Sequence, residues 1–162
     1  MREMRRKDRL VTDINEIEGI IKECDVIRLG FQDGDFPYIV PLNYGYEIVD
    51  GQIYFYIHGA ADGRKVDLIK QNGKCSFQMD KSIELDLIPE EKDLTTRYKA
   101  LFGHAKIELL EGEDKFHGAK VLMNYDERTR DYDYNVDAVP NITVAKLTVL
   151  EYTGKINPVR IK

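Results

Sequence analysis

From Asp13 to Cys24 the apolar residues Ile14, Ile17, Ile20, Ile21 and Cys24 recur at three- and four-residue spacing, which predicts an amphipathic helix. Asp13 stands where an N-cap belongs, and Glu16 three residues later completes a capping-box-like pattern. The texture then changes. Val26 to Phe31 reads as a short strand, and Gln32-Asp33-Gly34-Asp35 as a turn. Phe36 to Val49 reads as one long β segment, Asp50-Gly51 as a hairpin turn, and Gln52 to His58 as the return strand. Pro41 lies inside the first of these. Having no N–H, it implies a sheet edge, a bulge, or a place where something other than a strand lies alongside. Gly45 fits close approach by a ligand or a sharp bend.

Small residues follow, Gly59-Ala60-Ala61-Asp62-Gly63, and then a helix from Arg64 to Gln71 with Val66, Leu68 and Ile69 apolar. Asn72-Gly73 supplies its C-terminal stop. Lys74 to Met79 and Ser82 to Ile88 read as two strands, Pro89 to Thr95 as an acidic loop, and Arg97 to Leu110 as a long strand bent near Gly103. A second amphipathic helix is predicted from Asp114 to Asn124, a polar loop or lid from Tyr125 to Pro140, and a last strand from Ile142 to Tyr152. Six or seven strands joined by hairpins, with three short helices, favour a mainly β, antiparallel barrel over a doubly wound sheet. The chain contains neither a GxGxxG fingerprint nor a repeat nor a Pro/Gly-rich linker, so residues 1–162 read as one domain.

The length of 162 residues suits that reading, and a 43% hydrophobic content suffices for a core. No run approaches the ~20 apolar residues of a membrane span. The basic start, Met1 to Lys7, leads into no apolar segment, so the expectation is a cytoplasmic protein. A net charge of −5 argues against broad nucleic-acid binding, and the basic start reads as a solvated terminus. Cys24 and Cys75 cannot build a disulfide scaffold, and the separated His58, His104 and His117 do not suggest a zinc centre.

The segment richest in chemistry is Tyr56-Ile57-His58-Gly59-Ala60-Ala61-Asp62-Gly63-Arg64-Lys65. A strand ends, small residues turn the chain, and a helix opens on two cations. Helix N-termini attract anions, whereas first-turn cations oppose the dipole unless an anion is present. Arg64 offers a planar fork and Lys65 a point charge, as a phosphate requires; the alternative is two exposed first-turn residues. His58 is either a ligand to phosphate or substrate, or a half-buried histidine at the strand end. The strand tyrosines, Tyr98 among them, read mostly as cross-strand packing. Glu84, Asp86, Glu90, Glu91 and Asp93 read as a solvated face, and no Ser or Cys triad is evident.

Taken together in order and spacing, these motifs resemble the NimA-like nitroimidazole-resistance proteins of the pyridoxamine 5′-phosphate oxidase-related, FMN-binding split-barrel superfamily. The resemblance runs from Met4-Arg5-Arg6-Lys7-Asp8-Arg9 through Cys24 to Phe31, Pro37 to Tyr46, His58 to Ile69 and Tyr98 to Gly103, and closes at Thr153-Gly154-Lys155. It implies a six-stranded antiparallel split barrel with peripheral helices, dimerised around FMN at the interface. It also implies that Arg64 and Lys65 hold the FMN phosphate, with His58 and Gly59 beside it. Val40, Pro41, Leu42 and Asn43 would run along the flavin ring, and Tyr98, with Phe102 and Gly103, would approach from the second subunit. The implied activity is FMN-dependent electron transfer from NAD(P)H to a small flat acceptor, His58 or Tyr98 supplying a hydrogen bond or proton. The alternative is a non-catalytic FMN- or haem-binding store or sensor. This chain departs from the family pattern at Lys99-Ala100, where members often carry a serine, and in its acidic Pro89 to Asp93 segment. It also lacks the Arg/Trp-rich C-terminal segment of true pyridoxamine-phosphate oxidases.

Overall fold

The structure is a computed structural model and describes residues 3–89, 92–124 and 135–157. Among the described residues eight strands form one antiparallel sheet: β1 (Leu10–Val11), β2 (Ile27–Asp33), β3 (Phe36–Leu42), β4 (Gly45–Val49), β5 (Gln52–Gly59), β6 (Lys74–Ile88), β7 (Asp93–Leu109) and β8 (Thr143–Asn157). Their order is β3-β2-β6-β7-β8-β5-β4, with β1 added to β8. Among the described residues three α-helices flank the sheet: α1 (Ile14–Glu23), α2 (Arg64–Asn72) and α3 (Gly112–Met123).

The predicted segment Phe36 to Val49 is therefore two strands, and they lie at opposite ends of the strand order. The chain crosses from β3 to β4 through Asn43 and Tyr44, and no ladder joins the two. This seam makes the barrel split. Pro37 and Pro41 fit the β3 position. Both pair with β2 residues, Gln32 and Arg28, and an edge strand needs no outward N–H. The two strands expected between Lys74 and Ile88 are instead one, β6. The polar Asp80-Lys81 pair does not break it, because Asp80 and Lys81 stay in register with Ala100 and Lys99, and the irregularity is a bulge between Ser82 and Glu84. With the two-residue β1, one split, one merger and one addition turn the seven segments read as strands into eight.

The core runs through the barrel from α1 to β8. Ile17, Ile20 and Ile21 of α1 pack with Leu29, Phe55, Phe77, Met79, Leu101 and Leu147. Oδ1 of Asp13 accepts the N–H groups of Asn15 at 2.9 Å and Glu16 at 3.1 Å, so the expected cap is present. At the other end of α1 the buried Tyr44 hydroxyl lies 2.6 Å from the Ile21 carbonyl and 2.8 Å from that of Cys24. Tyr44 thus fastens the seam to the orphan carbonyls of the helix. Gly73 caps α2 in the left-handed conformation, its N–H donating to the Ile69 carbonyl at 2.9 Å. Near Gly103 the β7–β8 register shifts between His104 and Ala105, and a side chain at Gly103 would strike the Glu151 carbonyl. Gly45 makes room for protein and not for a ligand: a Cβ there would lie 2.6 Å from the Val121 carbonyl oxygen of α3.

Of the predicted lid, residues 125–134 lie outside those described, and Val136–Asn141 forms a 3-10 turn whose Val139 is buried against α3. Among the described residues no helix is long and apolar enough to cross a membrane.

Candidate functional site

β5 pairs with β8 as far as Gly59, opposite Thr143, and then the chain bends through 60–63 into α2. Gly63 caps that helix with φ +129°, a conformation that L side chains rarely adopt, and it offers no side-chain acceptor. Its carbonyl accepts the N–H groups of Val66 at 2.9 Å and Asp67 at 3.1 Å. Among the described residues the N–H groups of Arg64 and Lys65 have no acceptor, so the first turn of α2 presents two free donors.

The two cations are held differently. Lys65 folds back over the loop, and its Nζ donates to the His58 carbonyl at 3.1 Å. Burial lowers its ammonium pKa. A Cβ on Gly59 would sit 2.6 Å from that Nζ, so glycine opens the space the amine occupies. Arg64 reaches Asp33 at the end of β2, with Nε donating to Oδ2 at 2.8 Å and Nη2 paired with Oδ1. The pairing raises the guanidinium pKa and lowers that of the carboxyl. His58 exposes its side chain, and among the described residues its ring has no hydrogen-bond partner. Two backbone donors, an ammonium and a guanidinium at a helix N-terminus form a donor set suited to a phosphate group.

The residues expected along a ring lie on β3. Val40 and Leu42 are half-buried, Pro41 and Asn43 exposed. Val40 is opposite Leu29, four residues along β2 from Asp33 and hence about 13 Å from the Arg64 contact. Asn43 donates its side-chain N–H to the Asp25 carbonyl at 3.2 Å. Tyr98 is elsewhere. It pairs with Ser82 far out on the β6–β7 hairpin, about 30 Å along the ladder from the level of Asp33. Within one chain Tyr98 and Arg64 are therefore not brought together. The Tyr98 hydroxyl accepts from Arg9 at 3.5 Å, and Lys155 Nζ lies 5.2 Å from its ring centroid. Burial would raise its pKa, but Lys155 and Arg9 outweigh burial and lower it. The neighbouring Lys99 is bound to Glu23 of α1 at 2.5 Å.

Two features escaped sequence reasoning. Asp86 does not belong to a solvated face; it pairs with the buried Arg97, which also reaches Asn157. Pairing of 84–88 with 93–97, which sets Asp86 opposite Thr95 and so diagonal to Arg97 on one face, is the signal that could have exposed this. A separate cavity of about 550 Å³ opens between α3 and the β4–β5 hairpin. Inside it Glu47 accepts from Tyr56 at 2.8 Å and from His117 at 3.0 Å. Burial pushes the Cys24 thiol up to about 11 and that of Cys75 to about 12, so neither is a ready nucleophile. Among the described residues no group of three His, Cys, Asp or Glu side chains could hold a metal ion.

An antiparallel split barrel with a donor-rich loop between β5 and α2 is thus the class of protein defined by this geometry. The chain belongs to the pyridoxamine 5′-phosphate oxidase family, whose sequence profile matches residues 13–156. Among solved structures it is similar to a candidate 5-nitroimidazole antibiotic resistance protein from Bacteroides thetaiotaomicron, with 29% identity, TM-score 0.75, and coverage of 91% of this chain and 86% of that one. An FAD and haem binding protein from Mycobacterium smegmatis shares the fold at 8% identity and TM-score 0.76, over 95% of this chain and 76% of that one. An FAD-binding protein from Mesorhizobium loti does so at 16% identity and TM-score 0.66, over 93% and 98%. Comparison with curated proteins gives no significant match.

Proposed function

We propose that the protein binds FMN and works as an FMN-dependent oxidoreductase on a small flat acceptor, a nitro compound being one such class, with NAD(P)H as electron donor. The observation that carries the reading is the donor set of the β5–α2 loop in a chain of this family. Arg64, Lys65 and the two free N–H groups hold the phosphate; His58 and Gly59 line its approach. The backbone of Val40, Pro41, Leu42 and Asn43 runs along the ring. The span of about 13 Å from Asp33 to Val40 suits a phosphate at one end and a flat ring at the other. When bound, the flavin would supply the redox chemistry, accepting hydride and donating electrons.

The working unit in this reading is a homodimer in which a second copy contributes Tyr98. The separation of Tyr98 from Arg64 within one chain supports this, as does the exposed apolar face of Leu85, Leu87 and Leu94 beside it. Tyr98, its phenol acidified by Lys155 and Arg9, and His58, with its free ring, are the groups able to donate a proton to a reduced acceptor.

The purified protein should be yellow after loading with FMN, bleach with NAD(P)H, and turn over when a nitro acceptor is added. Bleaching without turnover would support a flavin carrier instead. A Soret band would support a haem-binding role, a reading favoured by the shared fold of the FAD and haem binding protein. A colourless protein that takes up neither cofactor would overturn both readings.

A further inference from the structure

The guanidinium of Arg64 has two edges, and only one of them is in use. Asp33 takes the edge formed by Nε and Nη2. Among the described residues nothing else accepts an N–H of Arg64, so Nη1 and the second hydrogen of Nη2 remain as another bidentate face. The partners are unequally anchored. The Asp33 side chain is 22% exposed, that of Arg64 55%. Asp33 ends β2 opposite Phe36, beside a turn in which the Gln32 side chain donates to the Gly34 carbonyl at 2.9 Å. The carboxylate is the fixed partner and the guanidinium the one being held.

We propose that Asp33 is a positioning residue for the anion site: it pins Arg64 by one edge so that the other is presented, already ordered, to the phosphate of the ligand. This rests on the reading that the β5–α2 loop takes the FMN phosphate. A carboxylate this near could instead compete with the phosphate, and two considerations decide against that. Asp33 occupies a different edge of the guanidinium and uses different hydrogens, so no N–H has to be surrendered. Repulsion between Asp33 and a phosphate beyond the guanidinium acts across a solvated surface and is strongly screened. Against this weak penalty stands the rotamer entropy of a free arginine, among the largest of any side chain, which Asp33 has already removed.

FMN and riboflavin serve as the probes, titrated into wild type, Asp33→Ala, Asp33→Asn, Arg64→Ala and the double variant. Asp33→Ala should weaken FMN binding by about 3- to 15-fold, the affinity cost of re-ordering the freed arginine, and leave riboflavin binding unchanged. Asp33→Asn, which keeps one acceptor, should fall between it and wild type. In the Arg64→Ala background the Asp33→Ala change should have no further effect, because its target is gone. Unchanged or tighter FMN binding by Asp33→Ala would overturn the proposal. So would a loss that persists in the Arg64→Ala background or extends equally to riboflavin, since that marks a structural role. If Arg64→Ala itself leaves FMN binding unaltered, the phosphate reading fails and the role of Asp33 fails with it. An Arg64→Ala loss with no Asp33→Ala loss refutes the role of Asp33 alone.

Discussion

The ammonium of Lys65 donates a 3.1 Å hydrogen bond to the carbonyl of His58, so the end of the β5 strand and the first turn of α2 are tied by the cation that lies between them. Gly59 supplies the room. A methyl group there would meet Lys65 Nζ at 2.6 Å, and because Nζ ends a flexible side chain the amine would swing aside while the backbone stays. Gly59→Ala is therefore expected to change stability by less than about 1 kcal/mol. It should weaken FMN binding by about tenfold or more through the displaced cation. Thermal unfolding and a flavin titration on the same variant check both halves.

Glu47 ties α3 to the barrel through Tyr56 and His117. Burial would raise its pKa, but the hydrogen bonds from His117 and Tyr56, with Lys146 nearby, hold it below the ordinary 4.5. A carboxyl whose folded pKa is depressed stabilises the fold above its unfolded pKa, and that contribution is lost as pH falls through the folded value. Glu47→Gln should thus cost about 1–2 kcal/mol near pH 7, and the difference from wild type should shrink toward about pH 3. Urea unfolding at the two pH values reads this out.

The hydroxyl of Tyr44 serves two carbonyls at the C-terminal end of α1 and is buried. Tyr44→Phe keeps the ring packed edge-on against Phe55, at 5.6 Å between centroids, but leaves those carbonyls unserved. The expected loss is about 1–3 kcal/mol in chemical unfolding, with flavin affinity unchanged.

Leu87 and Leu94 face one another on the outer side of the β6–β7 hairpin, with exposures of 62% and 60%, and Leu85 beside them is exposed at 61%. In the proposed dimer this face is covered. Light scattering should give a dimer for wild type and a monomer for Leu85→Glu/Leu94→Glu. The monomer should bind FMN weakly, because Tyr98 of the second copy is gone. A wild-type monomer that binds FMN tightly would contradict the dimeric site.

Local chemistry made much of this legible from sequence. The Asp13 cap, the Gly73 stop and the Asp50-Gly51 turn depend on residues near in sequence, and all three are present. Pro41, lacking a donor, left an edge, a bulge or a non-strand neighbour open, and the strand that carries it is an edge. Spacing alone could not reveal that Asn43 and Tyr44 carry the chain across a seam, since what breaks the strand is attachment of Tyr44 to carbonyls about twenty residues earlier in the chain. Nor could it show Asp33 beside Arg64, 31 residues later, or Asp86 turned inward to Arg97. Such pairings form only once the ladders are in register. Tyr98 could be placed beside the site only by resemblance, and one chain alone leaves it about 30 Å away along the sheet.

The claim that the β5–α2 loop is a phosphate site is tested most directly by side-by-side calorimetric titration of the wild-type protein with FMN and riboflavin, which share the ring and differ in the phosphate. If Arg64 and Lys65 each make a charge-assisted contact of at least about 1.5 kcal/mol to the phosphate, FMN should bind at least about 100-fold more tightly than riboflavin. Equal dissociation constants for the two ligands would contradict the account.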